Sequence, residues 1–453
     1  MIARAPPARG PMRLQDGSRV AVIGGGPAGS LSAYFLLRFA EQQNLRLAVD
    51  IYEPRDFAAT GPRGCNMCGG VVSEALVQGL AAEGIDLPAT VVQRGIAAYV
   101  LNTDEGSVRI RTPRREARIA TLHRGGGPRD LSVLRWGGLD GFLLSEAQRL
   151  GARVIPARVT GARWQGGRPS LQVRGASTVY DLIVVATGVN VASEPLFAGL
   201  GLRHRPAETS RAYITEIRLG FETVTRIFGA AMHIFLLDIP RLEFAAIIPK
   251  GDFVTVCLLG RNIDHLLIRV FFAHPAVTRW LPPGTSHEGV CHCRPNINVR
   301  EAARPFADRV VLVGDCGVTR LYKDGIGAAY RTARAAAQTA VFHGISARAF
   351  RRHFGPVYRS IAWDNRFGRV MFLLAGLLKT VRLLRGAVLH TTAAEQTGRD
   401  RDPRLSGVLW DMFSGSAPYR SIFLRAVDPR LVARLAWATV RARRAAAVQQ
   451  EPV

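Results

Sequence analysis

The sequence predicts an α/β fold: a parallel-sheet domain, a mixed or antiparallel β-sheet domain inserted into it, and a helical C-terminal region. Three observations predict it. Residues 18–53 read as strand, helix, strand, with the glycine-rich stretch RVAVIGGGPAGS at 19–30 joining the first two. Apolar runs of the buried-strand kind return far downstream, at 180–188 (YDLIVVATG) and 309–313 (RVVLV), so distant segments complete the first domain. Elsewhere the pattern changes. Residues 90–122 alternate as antiparallel strands do, 205–300 are mainly β with one helix at 266–272, and from about 346 the pattern is helical. The expected division is a leader without ordered structure at 1–16, a discontinuous first domain at 17–85, 130–204 and 300–345, a β-rich domain at 86–129 and 205–299, and a basic helical region at 346–453.

Gly24, Gly26 and Gly29 fall on G-x-G-x-x-G after a buried strand (Val20, Ala21, Val22, Ile23) and ahead of a helical segment, the context in which that motif binds a dinucleotide. Gly24 permits the tight turn, Gly26 lets a pyrophosphate approach the backbone, and Gly29 lets the helix pack closely on the strand. Pro27 suits a first helical turn, where its missing N–H loses nothing. With Ala28 it opens a helix whose free N–H groups face the phosphates. A second apolar run at 47–52 ends in Glu53, an acidic side chain able to hold the hydroxyls of an adenosine ribose. It comes a few residues beyond the usual ~20, which asks for a helix about one turn longer.

The chain has 453 residues, 48% of them hydrophobic, enough for a large core and more than one domain. Net charge is +25, yet only three of the 60 basic residues are lysines (Lys250, Lys323, Lys379), and arginine is spread along the whole length. No zinc-finger or RNA-binding pattern accompanies it. Nucleic acid is therefore not an expected partner, whereas an anionic membrane surface is. Six cysteines in a chain this long do not form a disulfide framework. No signal-peptide core opens the sequence, and no uncharged run reaches the ~18 residues of a membrane span. The expected location is cytoplasmic, with peripheral attachment at the inner face of the membrane.

Gly314 and Asp315 end the strand at 309–313, and Asp324-Gly325-Ile326-Gly327 then opens a long helix. An aspartate at the end of a central strand can accept hydrogen bonds from a polyol, and a glycine-opened helix N-terminus stabilises negative charge. Together with the opening motif, this resembles the FAD-dependent family that includes aromatic hydroxylases, flavin halogenases and geranylgeranyl reductases. The resemblance implies a glutathione-reductase-type FAD-binding Rossmann domain. It puts the pyrophosphate on Gly24, Gly26 and Gly29, the ribose on Glu53, the ribityl chain at Gly314 and Asp315, and the ring near Gly325, Ile326 and Gly327. Arg135 with Asp140 is similar to the family's R…D pair, which puts Arg135 near FAD. Hydroxylases carry D-G where this chain has Ala186-Thr187-Gly188. Geranylgeranyl reductases tolerate A-T-G there, and their cysteine-glycine turn is similar to Cys68-Gly69-Gly70. Halogenases have W-x-W-x-I-P and the reductases Y-x-W-x-F-P. Here Phe244 to Pro249 reads FAAIIP, with Ala246 at the second aromatic position. That change implies a wider or differently shaped cavity and speaks against halogenation.

The cysteines leave three readings open. Cys65-x-x-Cys68 leads into a helix, and Cys291-His292-Cys293 precedes the strand that carries Asp315. Cys65, Cys68, Cys291 and Cys293 are ordinary buried residues, or ligands of zinc or an iron–sulfur cluster, or in part a redox dithiol. Cys257 and Cys316 read as core packing. Further on, residues 369–389 read as an amphipathic helix with Lys379, Arg382 and Arg385 along one stripe, suited to an anionic bilayer or to packing with a wet basic edge.

The resemblance implies FAD-dependent hydride transfer to or from a small or lipid-like apolar substrate, in the manner of geranylgeranyl reductases. NAD(P)H or an electron-donor protein would supply the electrons. Two alternatives stand beside it: an electron carrier with a cysteine-bound metal that reduces quinone, and a flavin monooxygenase.

Overall fold

The computed structural model describes residues 12–64, 68–113, 119–129, 137–191, 194–200, 202, 204–288, 290–398 and 402–448. A six-stranded sheet runs in the order Phe306–Ala307, Val310–Leu312, Leu182–Val185, Arg19–Ile23, Ala48–Tyr52, Arg153–Ile155. All neighbours are parallel except the short hairpin of the first two. Runs such as Val20–Ile23 and Leu182–Val185 are buried throughout because both faces of the sheet are covered. Helices Pro27–Gln42 and Gly325–Gln338 pack side by side on one face. An antiparallel meander, Gly161–Gln165, Arg168–Val173 and Ala176–Val179, covers the other.

The first strand has Ala48–Tyr52 on one side and Leu182–Val185 on the other. The winding reverses there, and the carboxyl ends of adjacent strands open a crevice. Backbone bonds hold these ends level: Gly24 N–H donates to Tyr52 at 2.9 Å, Ala186 N–H to Ile23 at 2.9 Å, and Val313 N–H to Val185 at 3.0 Å.

A second sheet has seven strands in the order His292–Cys293, Tyr213–Arg218, Phe253–Gly260, Leu242–Lys250, Ala231–Phe235, Ala98–Thr103, Gly106–Arg111. It is antiparallel apart from the parallel pairing of Ala231–Phe235 with Ala98–Thr103. Successive side chains on a strand point to opposite faces. One face carries Phe235, Ile247 and Val256 beneath helices Phe221–Phe228 and His265–Ala273. The other carries Tyr99, Phe244, Ala246 and Ile248, and packs against Phe372, Trp410 and Phe413 of the C-terminal helices.

Those helices are Gly355–Thr380, Arg382–Gln396, Arg404–Ser414, Tyr419–Ala426 and Pro429–Val448. They are tied to the loop ahead of the Gly325 helix. Asn365 donates to the Thr319 carbonyl at 2.8 Å and accepts the Leu321 N–H at 2.9 Å. The Tyr419 hydroxyl donates to the Leu321 carbonyl, and Arg320 donates to the carbonyls of Gly415 and Ala417.

The helix that carries Asp140 spans Leu139–Arg149, and Arg135 lies outside the described residues. One expectation is corrected here. Residues 369–389 do not form one helix with a basic stripe, because Val381 (φ −98°, ψ 103°) interrupts it. Lys379 is buried and donates to the Leu242 carbonyl, while Arg385 is buried between the Lys379 carbonyl and Glu105. Only Arg382 stays exposed, paired with Glu105 at 3.1 Å. Leu242 and Glu105 lie far away in sequence, so periodicity cannot reveal them. Among the described residues no helix is long and apolar enough to cross a membrane.

Candidate active site

The crevice begins at the glycine turn. Gly24 has φ +104°, and a Cβ there would lie 2.5 Å from the Ala186 carbonyl oxygen. A Cβ on Gly29 would lie 1.8 Å from the Gly24 carbonyl oxygen, so helix and turn touch backbone to backbone. Gly26 differs: the nearest neighbour to its Cβ would be the Arg124 guanidinium at 3.6 Å, which leaves the backbone open to the crevice. Gly26 is the N-cap of the Pro27–Gln42 helix, with no side-chain cap and no acid in the first turn. The first-turn amides of Ala28 and Gly29 thus have no capping side chain to accept them. Glu53 is 8% exposed and accepts the N–H of Gly25 at 2.8 Å on one oxygen and that of Arg55 at 2.9 Å on the other. Each oxygen keeps a lone pair for a hydroxyl.

Across the crevice, Gly314 has φ +67° and donates its N–H to the Thr332 hydroxyl at 3.0 Å. A Cβ there would lie 2.6 Å from the Ala28 Cβ, so this glycine lets the strand end pass close to the first helix. The Asp315 carboxylate lies 3.7 Å from the Cβ position of Gly325. Burial raises its pKa, opposed by the Thr319 hydroxyl and the Arg124 charge. The Gly325–Gln338 helix also lacks a side-chain cap. Its N-cap Asp324 sits at φ +47° and accepts the Ser73 hydroxyl at 3.0 Å, and burial pushes its carboxyl up to about 6. Gly327 is required because a Cβ would overlap the Asp324 carboxylate at 2.4 Å. The Ile326 side chain is 5% exposed and packed in the core, so only its backbone is available to the crevice. A cavity of about 330 Å³ opens beside Gly188, lined among others by Asn190, His204, Asn296 and Cys316.

Arg124 is the residue the sequence reading missed. It grips Asp140, whose side chain is fully buried, with Nη2 to Oδ2 at 2.9 Å and a second bond through Nε. Burial opposes the Arg124 charge, but Asp140 outweighs it, and the guanidinium stays protonated. Its charge acts on Asp315 while its Nη2 lies 3.6 Å from the Cβ position of Gly26, so it stands between the glycine turn and the far wall. The sequence reading paired Asp140 with Arg135, which lies outside the described residues; among the described residues Asp140 holds Arg124. Nothing in a chain so rich in arginine distinguishes that one before folding.

The second sheet meets the loop ahead of the Gly325 helix through Phe244 and Lys323. Phe244, Ala246 and Ile248 all face the same side, as every second residue of a strand must. The Phe244 ring stacks on Phe372 at 5.9 Å, and Lys323 Nζ lies 4.5 Å from its centroid. Lys323 donates to the Phe413 carbonyl at 3.3 Å, and burial, reinforced by Arg320, pushes its pKa down to about 7.

Three of the four cysteines of the expected set are described. Cys65 lies outside the described residues. Cys68 accepts the Gly70 N–H at 3.4 Å, and a Cβ on Gly69 would lie 3.2 Å from Cys257 Sγ. Strand register sets Cys257 and Cys293 on either side of Ile214, in a row that continues to Ala246. Cys257, read from sequence as packing alone, is thus the cysteine that the Cys68 turn approaches. The Cys291 carbonyl accepts from Thr215 and from the Glu216 N–H. Among the described residues no group of three or more His, Cys, Asp or Glu is arranged to hold a metal ion. A buried charged group lies nearby: Lys250, 1% exposed, is 3.5 Å from Glu216, which accepts from Thr255 at 2.7 Å and stands 4.0 Å from His123. Burial, then Lys250, lowers the His123 pKa well below its usual value, so this imidazole is neutral near pH 7.

No protein-family model matches the chain, and no curated protein does. Solved structures do. The flavin-dependent brominase Bmp2 aligns over 83% of this chain and 92% of its own, with TM-score 0.56 and 15% identity. The chain has the fold of flavin-dependent halogenases and oxygenases. A flavoprotein/dehydrogenase from Cytophaga hutchinsonii aligns over 88% of this chain and 93% of its own, at TM-score 0.60 and 15% identity. 2-Methyl-3-hydroxypyridine-5-carboxylic acid oxygenase aligns over 84% and 95%, at TM-score 0.56 and 16% identity. At these identities the likeness is one of fold.

Proposed function

We propose that the chain binds FAD in this crevice and is an FAD-dependent oxidoreductase acting on an apolar substrate between the seven-stranded sheet and the C-terminal helices. One observation carries the reading. Two uncapped helix N-termini, an acid at the end of the second strand and an acid at the end of Val310–Leu312 all surround one crevice at the reversal of strand order. The open backbone at Gly26 fits a pyrophosphate, and Gly24, Pro27, Ala28 and Gly29 frame it. Arg124, held by Asp140, adds positive charge beside it. Glu53 accepts the ribose hydroxyls, Gly314 and Asp315 meet the ribityl chain, and the backbone amides of Gly325, Ile326 and Gly327 face the carbonyl edge of the ring. When bound, FAD supplies the hydride or single-electron chemistry, and the protein positions the substrate. Phe244, Ala246 and Ile248 would form the apolar wall, with Ala246 in place of a larger ring.

The finer reading is hydride transfer in the manner of geranylgeranyl reductases, with NAD(P)H or a donor protein as the source of electrons. Ala186-Thr187-Gly188 and Cys68-Gly69-Gly70 support it. The likeness of fold to oxygenases favours a second reading, in which molecular oxygen is the co-substrate. Purified protein should be yellow and release FAD on denaturation. Saturation of an isoprenoid double bond under anaerobic conditions supports the first reading, and oxygen uptake matched by hydroxylated product supports the second. Protein that neither carries nor takes up FAD overturns both.

A further inference from the structure

The Gly355–Thr380 helix faces the fold through Ile361, Asn365, Gly368, Met371 and Phe372. Its outer side is apolar. Trp363, Val370, Leu373, Leu374 and Leu377 are exposed, Leu373 at 71% and Leu377 at 57%. Positions 363, 370, 374 and 377 follow the helical repeat and lie on one face. Trp363 meets Phe367 at 6.1 Å between centroids, and Phe367 meets Phe423 of the Tyr419–Ala426 helix at 5.6 Å. The apolar surface therefore continues onto that helix through the half-buried Phe423. A continuous face of this kind marks a site of association.

Charge says what covers it. Arg359 and Arg366 are exposed along the same face, and the Arg366 guanidinium lies 4.6 Å from the Trp363 ring. Arg420 is exposed at the start of the neighbouring helix. The one carboxylate on the two helices, Asp364, is turned inward at 16% exposure and accepts the N–H groups of Tyr419 and Arg420. A second copy of this face would set arginine against arginine, whereas anionic headgroups complement it. We propose that this face docks on an anionic lipid bilayer, with the leucines and Trp363 below the headgroups and the arginines at the level of the phosphates. The helix is not apolar enough to cross, so it lies in the plane of the interface.

Flotation of the full-length protein with vesicles tests this, using phosphatidylcholine alone and phosphatidylcholine mixed with phosphatidylglycerol. The protein should float with the phosphatidylglycerol vesicles at low salt and be released as salt rises. Leu373→Glu and Leu377→Glu, both at exposed positions, should each weaken binding about tenfold while leaving flavin content and circular dichroism unchanged. Arg366→Gln should weaken binding to anionic vesicles and flatten its salt dependence. The proposal is overturned if the protein fails to float with anionic vesicles, if it floats equally well with neutral ones, or if a double variant combining Leu373→Glu and Leu377→Glu floats like the parent. A wild-type dimer in sedimentation that the double variant dissociates would also overturn it, and would assign the face to self-association.

Discussion

At the head of the parallel sheet, backbone meets backbone: a Cβ on Gly29 would come within 1.8 Å of the Gly24 carbonyl oxygen, and one on Gly24 within 2.5 Å of that of Ala186. In the C-terminal layer, which is tied to the loop ahead of the Gly325 helix, long side chains do the joining. Asn365, Tyr419 and Arg320 reach carbonyls and amides 44 to 98 residues away in sequence. The difference is one of permitted residues. A backbone contact excludes every side chain but hydrogen, so it leaves a motif. A side-chain contact can be made by many residues from many positions, so it leaves none.

The largest effect expected from this contrast comes at Gly29. Gly29→Ala should cost about 3 kcal/mol or more of stability, because neither backbone can give way, and on the proposed function it should also abolish flavin binding. Gly26→Ala is the control. Its Cβ meets only the end of a flexible arginine, so stability should change by less than about 1 kcal/mol, while flavin affinity falls if the pyrophosphate lies there. Denaturant titration and flavin content of the two variants decide the matter, and equal loss of stability in both would break the distinction.

Next in size is Asn365→Ala. It strands the Thr319 carbonyl and the Leu321 amide, two buried groups at about 1–3 kcal/mol each, so a loss near 3 kcal/mol is expected in urea unfolding. A loss below 1 kcal/mol would mean that the loop ahead of the Gly325 helix holds itself without the C-terminal layer.

The smallest effects separate two residues that sequence put on one stripe. Lys379→Met should cost about 1–2 kcal/mol by leaving the buried Leu242 carbonyl unpaired. Arg382→Met, whose partner Glu105 is reached from a side chain 81% exposed, should change stability by no more than about 0.5 kcal/mol. Equal, negligible effects at both would restore the solvated stripe.

Legibility in the sequence follows the same division. The α/β class, the parallel strands at 19–23, 182–185 and 310–312, and the glycine turn could be read directly, since buried two-sided strands are continuously apolar. Glu53, Asp315 and Asp324 could be read because strand ends and helix starts fix where such side chains go. Arg124 could not be read, because its role depends on Asp140, reached 16 residues later through a loop and a helix start. The approach of Cys257 to the Cys68 turn could not be read either, because it depends on strand register and on how two sheets meet.

By itself the sequence determined the class of fold, the crevice turn and the acids around it, because local conformation and steric exclusion act through neighbours in the chain. Only the tertiary structure decided which arginine stands beside Gly26, which basic residues of the C-terminal helices are buried, and which apolar face is left outside. Those outcomes depend on pairings between distant segments, and the energy of such a pairing is carried by no single stretch of sequence.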